Sequence, residues 1–280
     1  MDRPELVHGG GDGMHRRISV SAICTFGLDL AGDLEFWARH DIDRVGVSVA
    51  KLDSHGWDPG VALVARSVAE GLQVANLIGL GPFRLDDRSQ WPAQRARLTR
   101  ALDTAEMLDA DCIVFTTGPA GALTWEQAAD ALGEAMTPVL ADAAGRGIPF
   151  AIEHTNSLRV DVGFVHTLRD VIDLARGLGA RVCMEVNACW AERGLAETIA
   201  AGIEAIAVVQ VSDFAVGTLS TPNRLVPGDG DIPLARIIDD LLDAGYAGDF
   251  DLELIGPRID AEGYDLAIPR AIRALASLLP

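Results

Sequence analysis

Aromatic side chains make up only 5% of this 280-residue chain, basic residues number 23 against 41 acidic ones, and cysteine occurs four times. Each scarcity excludes something. Cys24, Cys112, Cys183 and Cys189 show no Cys-x-x-Cys spacing, so the thiols suggest neither a zinc cluster nor a redox dithiol, but reduced core residues of a reducing compartment. A net charge of −18 repels phosphate backbones and anionic lipid heads, which argues against nucleic-acid and membrane partners. Every apolar run falls short of the roughly 20 residues of a membrane helix, and the opening MDRPELVHGGGDGMHRR lacks the apolar core of a secretory signal. We therefore expect a cytoplasmic protein, with a flexible tail over residues 1–17 and a single domain over 18–280.

What the chain does have is a regular alternation. Runs of strand character stand at 18–24, 44–49, 72–80, 112–117, 148–154, 181–186, 206–212 and 249–255. Patterns of helical character such as LAGDLEFWARH and VHTLRDVIDLARGLG separate them. Eight strands, each followed by a helix, specify a parallel sheet that can close on itself, an α/β fold of the (β/α)8 TIM-barrel type. Gly71, Gly147, Gly179, Gly202 and Gly245 follow helical runs, where a left-handed C-cap is expected. An open doubly wound sheet is the alternative, but no Gly-x-Gly-x-x-Gly follows the first strand.

In such a barrel the functional residues stand where the strands end at the C-terminal rim. Four consecutive strands carry one polar oxygen donor near that end, each interrupting apolar sequence: Glu153 (FAI-E), Glu185 (VCM-E), Gln210 (AVV-Q) and Glu253 (FDL-E). Three carboxylates gathered in one mouth repel one another, and raised pKa values, arginines or a cation must compensate. A divalent ion with hard oxygen ligands meets that need directly.

These residues, with the loop PNRLVPGDGDIP after the seventh strand, resemble the xylose-isomerase-like TIM-barrel superfamily, which includes ketose 3-epimerases, inosose dehydratases and 3-dehydroshikimate dehydratases. The resemblance runs from about Ile18 to Leu279. It implies one divalent ion, Mn2+ or Mg2+ with Co2+ as a further candidate, held by Glu153, Glu185, Gln210 and Glu253. It also implies a homodimer or homotetramer. Two positions depart from the common pattern: Glu185 stands where Asp is usual, and Gln210 where His is common. A glutamine ligand makes the donor set all oxygen, which favours Mn2+ or Mg2+ over Zn2+. Ala188 stands where several epimerases keep a substrate-touching His.

The implied reaction is isomerisation or epimerisation of a hydroxy-ketone or sugar-like substrate through a metal-stabilised enediolate, with Glu153 and Glu253 as the acid/base pair. A dehydratase (lyase) of the 3-dehydroshikimate or inosose type shares the first step, and Gln210 speaks for it. A barrel without turnover, serving as a binding or partner subunit, is the reading from another class. Arg224 matches a family arginine that contacts substrate or orders the loop. His154, Lys51 and His55 are further candidate substrate contacts, the last two in a loop after the second strand. Asp213 is expected to brace the loop that follows it. Trp57, Phe83 and Trp190 are expected to wall an apolar side of the pocket, suiting a polyol, hydroxy-ketone or cyclic keto acid better than a phosphorylated sugar.

Overall fold

The computed structural model describes residues 13–280, so residues 1–12 of the expected tail lie outside the described residues. Eight strands close in sequence order into a parallel barrel. They are β1 (Ile18–Ser21), β2 (Arg44–Ser48), β3 (Gln73–Leu80), β4 (Cys112–Thr116), β5 (Phe150–Glu153), β6 (Arg181–Glu185), β7 (Ile206–Val211) and β8 (Asp249–Leu252). All eight coincide with the apolar runs of the sequence. The principal outer helices are α1 (Leu30–Arg39), α2 (Val49–His55), α3 (Trp57–Ala69), α4 (Trp91–Met107), α5 (Trp125–Arg146) and α6 (Leu168–Leu178). The short α7 (Val186–Cys189) precedes α8 (Leu195–Gly202), α9 (Leu234–Asp243), α10 (Pro257–Glu262) and α11 (Tyr264–Ala276).

Local chemistry sets the ends. Thr124 and Gln127 form a reciprocal capping box at the start of α5, satisfying two otherwise orphaned N–H groups. Gly147 and Gly179 close α5 and α6 in left-handed conformations, as their positions predict. Gly202 behaves differently: its φ is −111°, and a Cβ there would lie 2.2 Å from Ile172 Cδ1. It is needed for close packing of α8 on α6.

Alternation along the strands sorts side chains into two sets. One face packs beneath the helices in the main core, for example Ile113, Phe115, Ile152, Val182 and Val209. The other fills the barrel axis with Ile78, Cys112, Val114, Ala151, Cys183 and Val208. All four cysteines are buried and free, as expected. Arg17 seals the base: its guanidinium donates to the carbonyls of Gly248 and Tyr246 at 3.0 and 2.9 Å. Among the described residues no helix is long and apolar enough to cross a membrane.

Candidate active site

Strand stagger decides whether the four rim donors can meet. Glu153 is level in register with Cys183, two residues before Glu185; Glu185 pairs with Gln210; Gln210 pairs with Asp251, two residues before Glu253. In an eight-stranded barrel of shear 8 the register advances about one residue per strand, so these offsets bring the side chains to similar height. Carboxylate oxygens of Glu153, Glu185 and Glu253 indeed lie within 4.8 Å of one another. Gln210 is fully buried on the strand between Glu185 and Glu253, and neither atom of its amide has a hydrogen-bond partner.

Arg224 enters this group from the loop after β7. Its Nη1 stands 2.7 Å from Glu185 Oε2 and 3.4 Å from Glu253 Oε2, and donates to the Glu253 backbone carbonyl at 3.2 Å. The loop is pinned by Asp213, whose carboxylate accepts N–H bonds from Phe214, Gly228, Gly230 and Ile232 at 2.8 to 3.0 Å. Asp213 also exchanges both backbone hydrogen bonds with Leu225. The bracing role read from the sequence therefore has a definite form: it fixes the residue next to Arg224.

One guanidinium does not neutralise three carboxylates. Burial raises the pKa of Glu153 well above the usual carboxylate range, and the charges of Glu253 and Glu185 push the same way. Burial pushes Glu185 up to about 7, against the opposing pull of Arg224. Arg224 itself stays charged, because the three carboxylates outweigh the cost of its burial. Glu253 Oε2 and the Gln210 amide atoms lack hydrogen-bond partners, and Glu185 Oε2 has only the poorly aligned ion-pair contact with Arg224. Buried polar atoms are rarely left so without a ligand. An octahedral ion with bonds of about 2.1 Å places its donors about 3 to 4 Å apart, so this crowded oxygen set fits a divalent cation.

Other expected contacts are placed differently. His154 directly follows the last residue of β5, Glu153, and continues its alternation to the opposite face. It is fully buried, and its Nε2 accepts the Glu185 N–H at 3.2 Å. Burial lowers its pKa to about 3, so it is neutral; it supports the β6 end and borders neither cavity described below. Lys51 and His55 lie on helix α2, not in a loop, because the Ser48 hydroxyl caps it by accepting the Lys51 N–H. The Lys51 ammonium is committed to both oxygens of Asp33 at 2.7 and 2.8 Å and to the carbonyls of Ala22 and Thr25, so it is a structural pin. His55, exposed at the helix end, borders the cavity.

Two cavities meet at Glu153 and Glu253. The smaller, about 200 Å3, also takes in Glu185, Asn187 and Arg224. The larger, about 830 Å3, spreads over β1 to β4. Its wall is apolar, as expected, but not through the expected aromatics. Trp57 is buried, donating to Thr104 Oγ1 at 2.9 Å, Phe83 packs edge-on against Phe115, and Trp190 packs against the core. Asn187 was missed by the sequence reading. Its Nδ2 has no partner at the edge of the small cavity, and its position two residues beyond Glu185 was the available signal.

A family model for the xylose isomerase-like TIM barrel matches residues 33–278. No curated protein sequence matches the chain. Among solved structures, the protein SMc04130 from Sinorhizobium meliloti 1021 is similar at 24% identity and TM-score 0.81, over 94% of this chain and 98% of that one. The IolI protein with a bound zinc atom is similar at 16% identity and TM-score 0.76, over 94% and 96%. D-psicose 3-epimerase from Clostridium cellulolyticum H10, solved with D-tagatose, is similar at 17% identity and TM-score 0.73, over 94% and 98%. With a family match over nearly the whole described chain, and a closed eight-stranded parallel barrel agreeing with it, this protein belongs to the xylose isomerase-like TIM barrel family.

Proposed function

We propose that this protein is a divalent-metal-dependent isomerase or epimerase acting on a hydroxy-ketone or sugar-like small molecule. The observation that carries this reading is the meeting of Glu153, Glu185 and Glu253 within 4.8 Å beside the unpartnered amide of Gln210. Glu153, Glu185, Gln210 and Glu253 would hold the ion, Mn2+ or Mg2+ by the hardness of the donors, with Co2+ the next candidate. Such an ion supplies polarisation of a substrate carbonyl, which acidifies the adjoining C–H.

Glu153 and Glu253 border both cavities, so each can reach a carbon held at their junction. One takes the proton from that carbon, and the other returns a proton to complete the exchange. Arg224 holds Glu185 and Glu253 in position, and Asn187 offers its free amide N–H to a substrate oxygen. The epimerase neighbour solved with D-tagatose and the IolI neighbour with its zinc atom support the same class of site. A dehydratase shares the proton removal and differs in the loss of a β-hydroxyl afterwards; the glutamine at position 210 favours keeping it as the second reading.

Elemental analysis of the purified protein, before and after Mn2+ supplementation, tests the site. We expect about one ion per chain, and a clear fall in Gln210→Ala. No ion after supplementation would sink the enzymatic reading and favour a binding or partner subunit.

A further inference from the structure

The two cavities that meet at Glu153 and Glu253 differ in chemistry. The small one is lined by Glu185, Asn187 and Arg224. The large one, about 830 Å3, is walled by Ile23, Leu28, Ile78, Leu80, Val114 and Phe115. Phe26 stands at its edge with 65% of its surface exposed, a cost in water that an apolar ligand would relieve.

Away from Glu153 and Glu253, and with the exposed His55 at the mouth as the exception, the polar side chains that line the large cavity are already in use. Ser48 Oγ caps α2, and Ser54 Oγ donates to the Ala50 carbonyl at 3.0 Å. The Lys51 ammonium is committed to Asp33 and two carbonyls. Asp29 Oδ1 caps α1 by accepting the Gly32 N–H at 2.8 Å, and Arg159 is paired through two nitrogens with Asp161. A polyol body lying here would exchange water for walls that return few hydrogen bonds, and a phosphate would find no unpaired lysine or arginine. The volume is within the range that encloses a drug-sized molecule.

We propose that the substrate is bipartite: a hydroxy-carbonyl end held at Glu153 and Glu253, and an uncharged apolar body, aryl, alicyclic or alkyl, filling the cavity over β1 to β4. This rests on the proposed function for the reacting end and extends it to the rest of the molecule.

The test is calorimetric titration of the Mn2+-supplemented full chain with hydroxyacetone, 1-hydroxy-2-butanone, 2-hydroxyacetophenone and D-fructose. Solvent-deuterium exchange at the hydroxyl-bearing carbon is followed by NMR in parallel. Affinity is expected to rise roughly threefold to fourfold for the added methylene and more than tenfold for the phenyl ketone, with fructose no tighter than hydroxyacetone. Ala50 is an exposed helix position bordering the cavity, so Ala50→Trp should fold, fill the space and collapse the affinity ratio of the phenyl ketone over hydroxyacetone. A flat series, fructose binding tightest, no binding by any probe, or an unchanged ratio in Ala50→Trp overturns the proposal. Exchange with a flat series removes the apolar body and keeps the proposed chemistry. A graded series without exchange in any probe keeps the cavity's preference and removes the proposed chemistry.

Discussion

Two buried charge clusters stand on the same rim and are built on opposite principles. On the β1–β2 side, one ammonium meets one carboxylate. Lys51 donates to both oxygens of Asp33 and to two backbone carbonyls, and Thr25 Oγ1 donates to Asp33 Oδ1 at 2.6 Å. Every strong donor and acceptor there is used. On the β5–β8 side, three carboxylates face one guanidinium, and Glu253 and Gln210 leave polar atoms unpaired. A saturated pair has nothing left to offer a ligand and serves to tie α1 and α2 to the first βα turn. An unsaturated crowd is expensive in the empty protein, and that unmet demand is what a cation and substrate can satisfy.

The sharpest way to break this contrast is to neutralise one partner in each cluster. Glu153→Gln and Glu253→Gln keep shape and remove the proton acceptor. Each should lower turnover, read as solvent-deuterium exchange into substrate, by about 10²- to 10⁴-fold, with the fold retained in far-UV circular dichroism. Activity near wild type in either variant would remove that residue from the acid/base pair. Lys51→Met acts on the saturated side. It strands the Asp33 carboxylate, whose side chain is wholly buried, and should cost about 3 to 5 kcal/mol in urea unfolding while the ion content per folded chain stays the same. Glu185→Gln, which relieves crowding, should cost far less in the metal-free protein. The reverse order of stabilities would mean that the carboxylate crowd, not the Lys51 pair, holds the rim together.

How much of this was readable beforehand follows from the range of the interactions. The eight strands were legible because apolar runs, helical patterns and glycine stops all agreed. The four rim donors were legible because each breaks an apolar strand. Helix α2 was not seen: it follows β2 directly and begins with Val49, with no glycine or proline to mark the change, and the only cue was Ser48 as a cap. The fate of Lys51 was hidden because its partner lies 18 residues earlier and across a turn. His154, expected as a substrate contact, could have been placed by strand alternation, which sends a residue adjacent to an inward glutamate to the other face. The aromatics misled because bulky rings fill the core under the helices, leaving the cavity wall to inward strand residues such as Ile78 and Val114.

The finest test of the contrast is the pH dependence of the metal-free protein. Asp33 is raised by burial to about 6, against the pull of Lys51, while burial raises Glu185 and Asp251 to about 7. A carboxyl whose folded pKa is above its unfolded value binds more protons in the native state, so stability falls as pH rises between the two values. Both clusters contribute below about pH 6. Between about 6 and 7 the declining part of the slope belongs to the mouth, at up to about 1.4 kcal/mol per unit for each group, and it is partly offset by His154, which is neutral in the fold while its unfolded imidazole still binds protons there. Urea midpoints taken across that interval in a chelator should therefore decline as pH rises, and Glu185→Gln should flatten the decline. Saturating Mn2+ favours the ionised carboxylates in the native state, so with the ion present the midpoints should become level or rise with pH. A decline that persists unchanged in Mn2+ would show that the crowd titrates without taking up the ion, and the contrast between a finished structural pair and a site awaiting a cation would be lost.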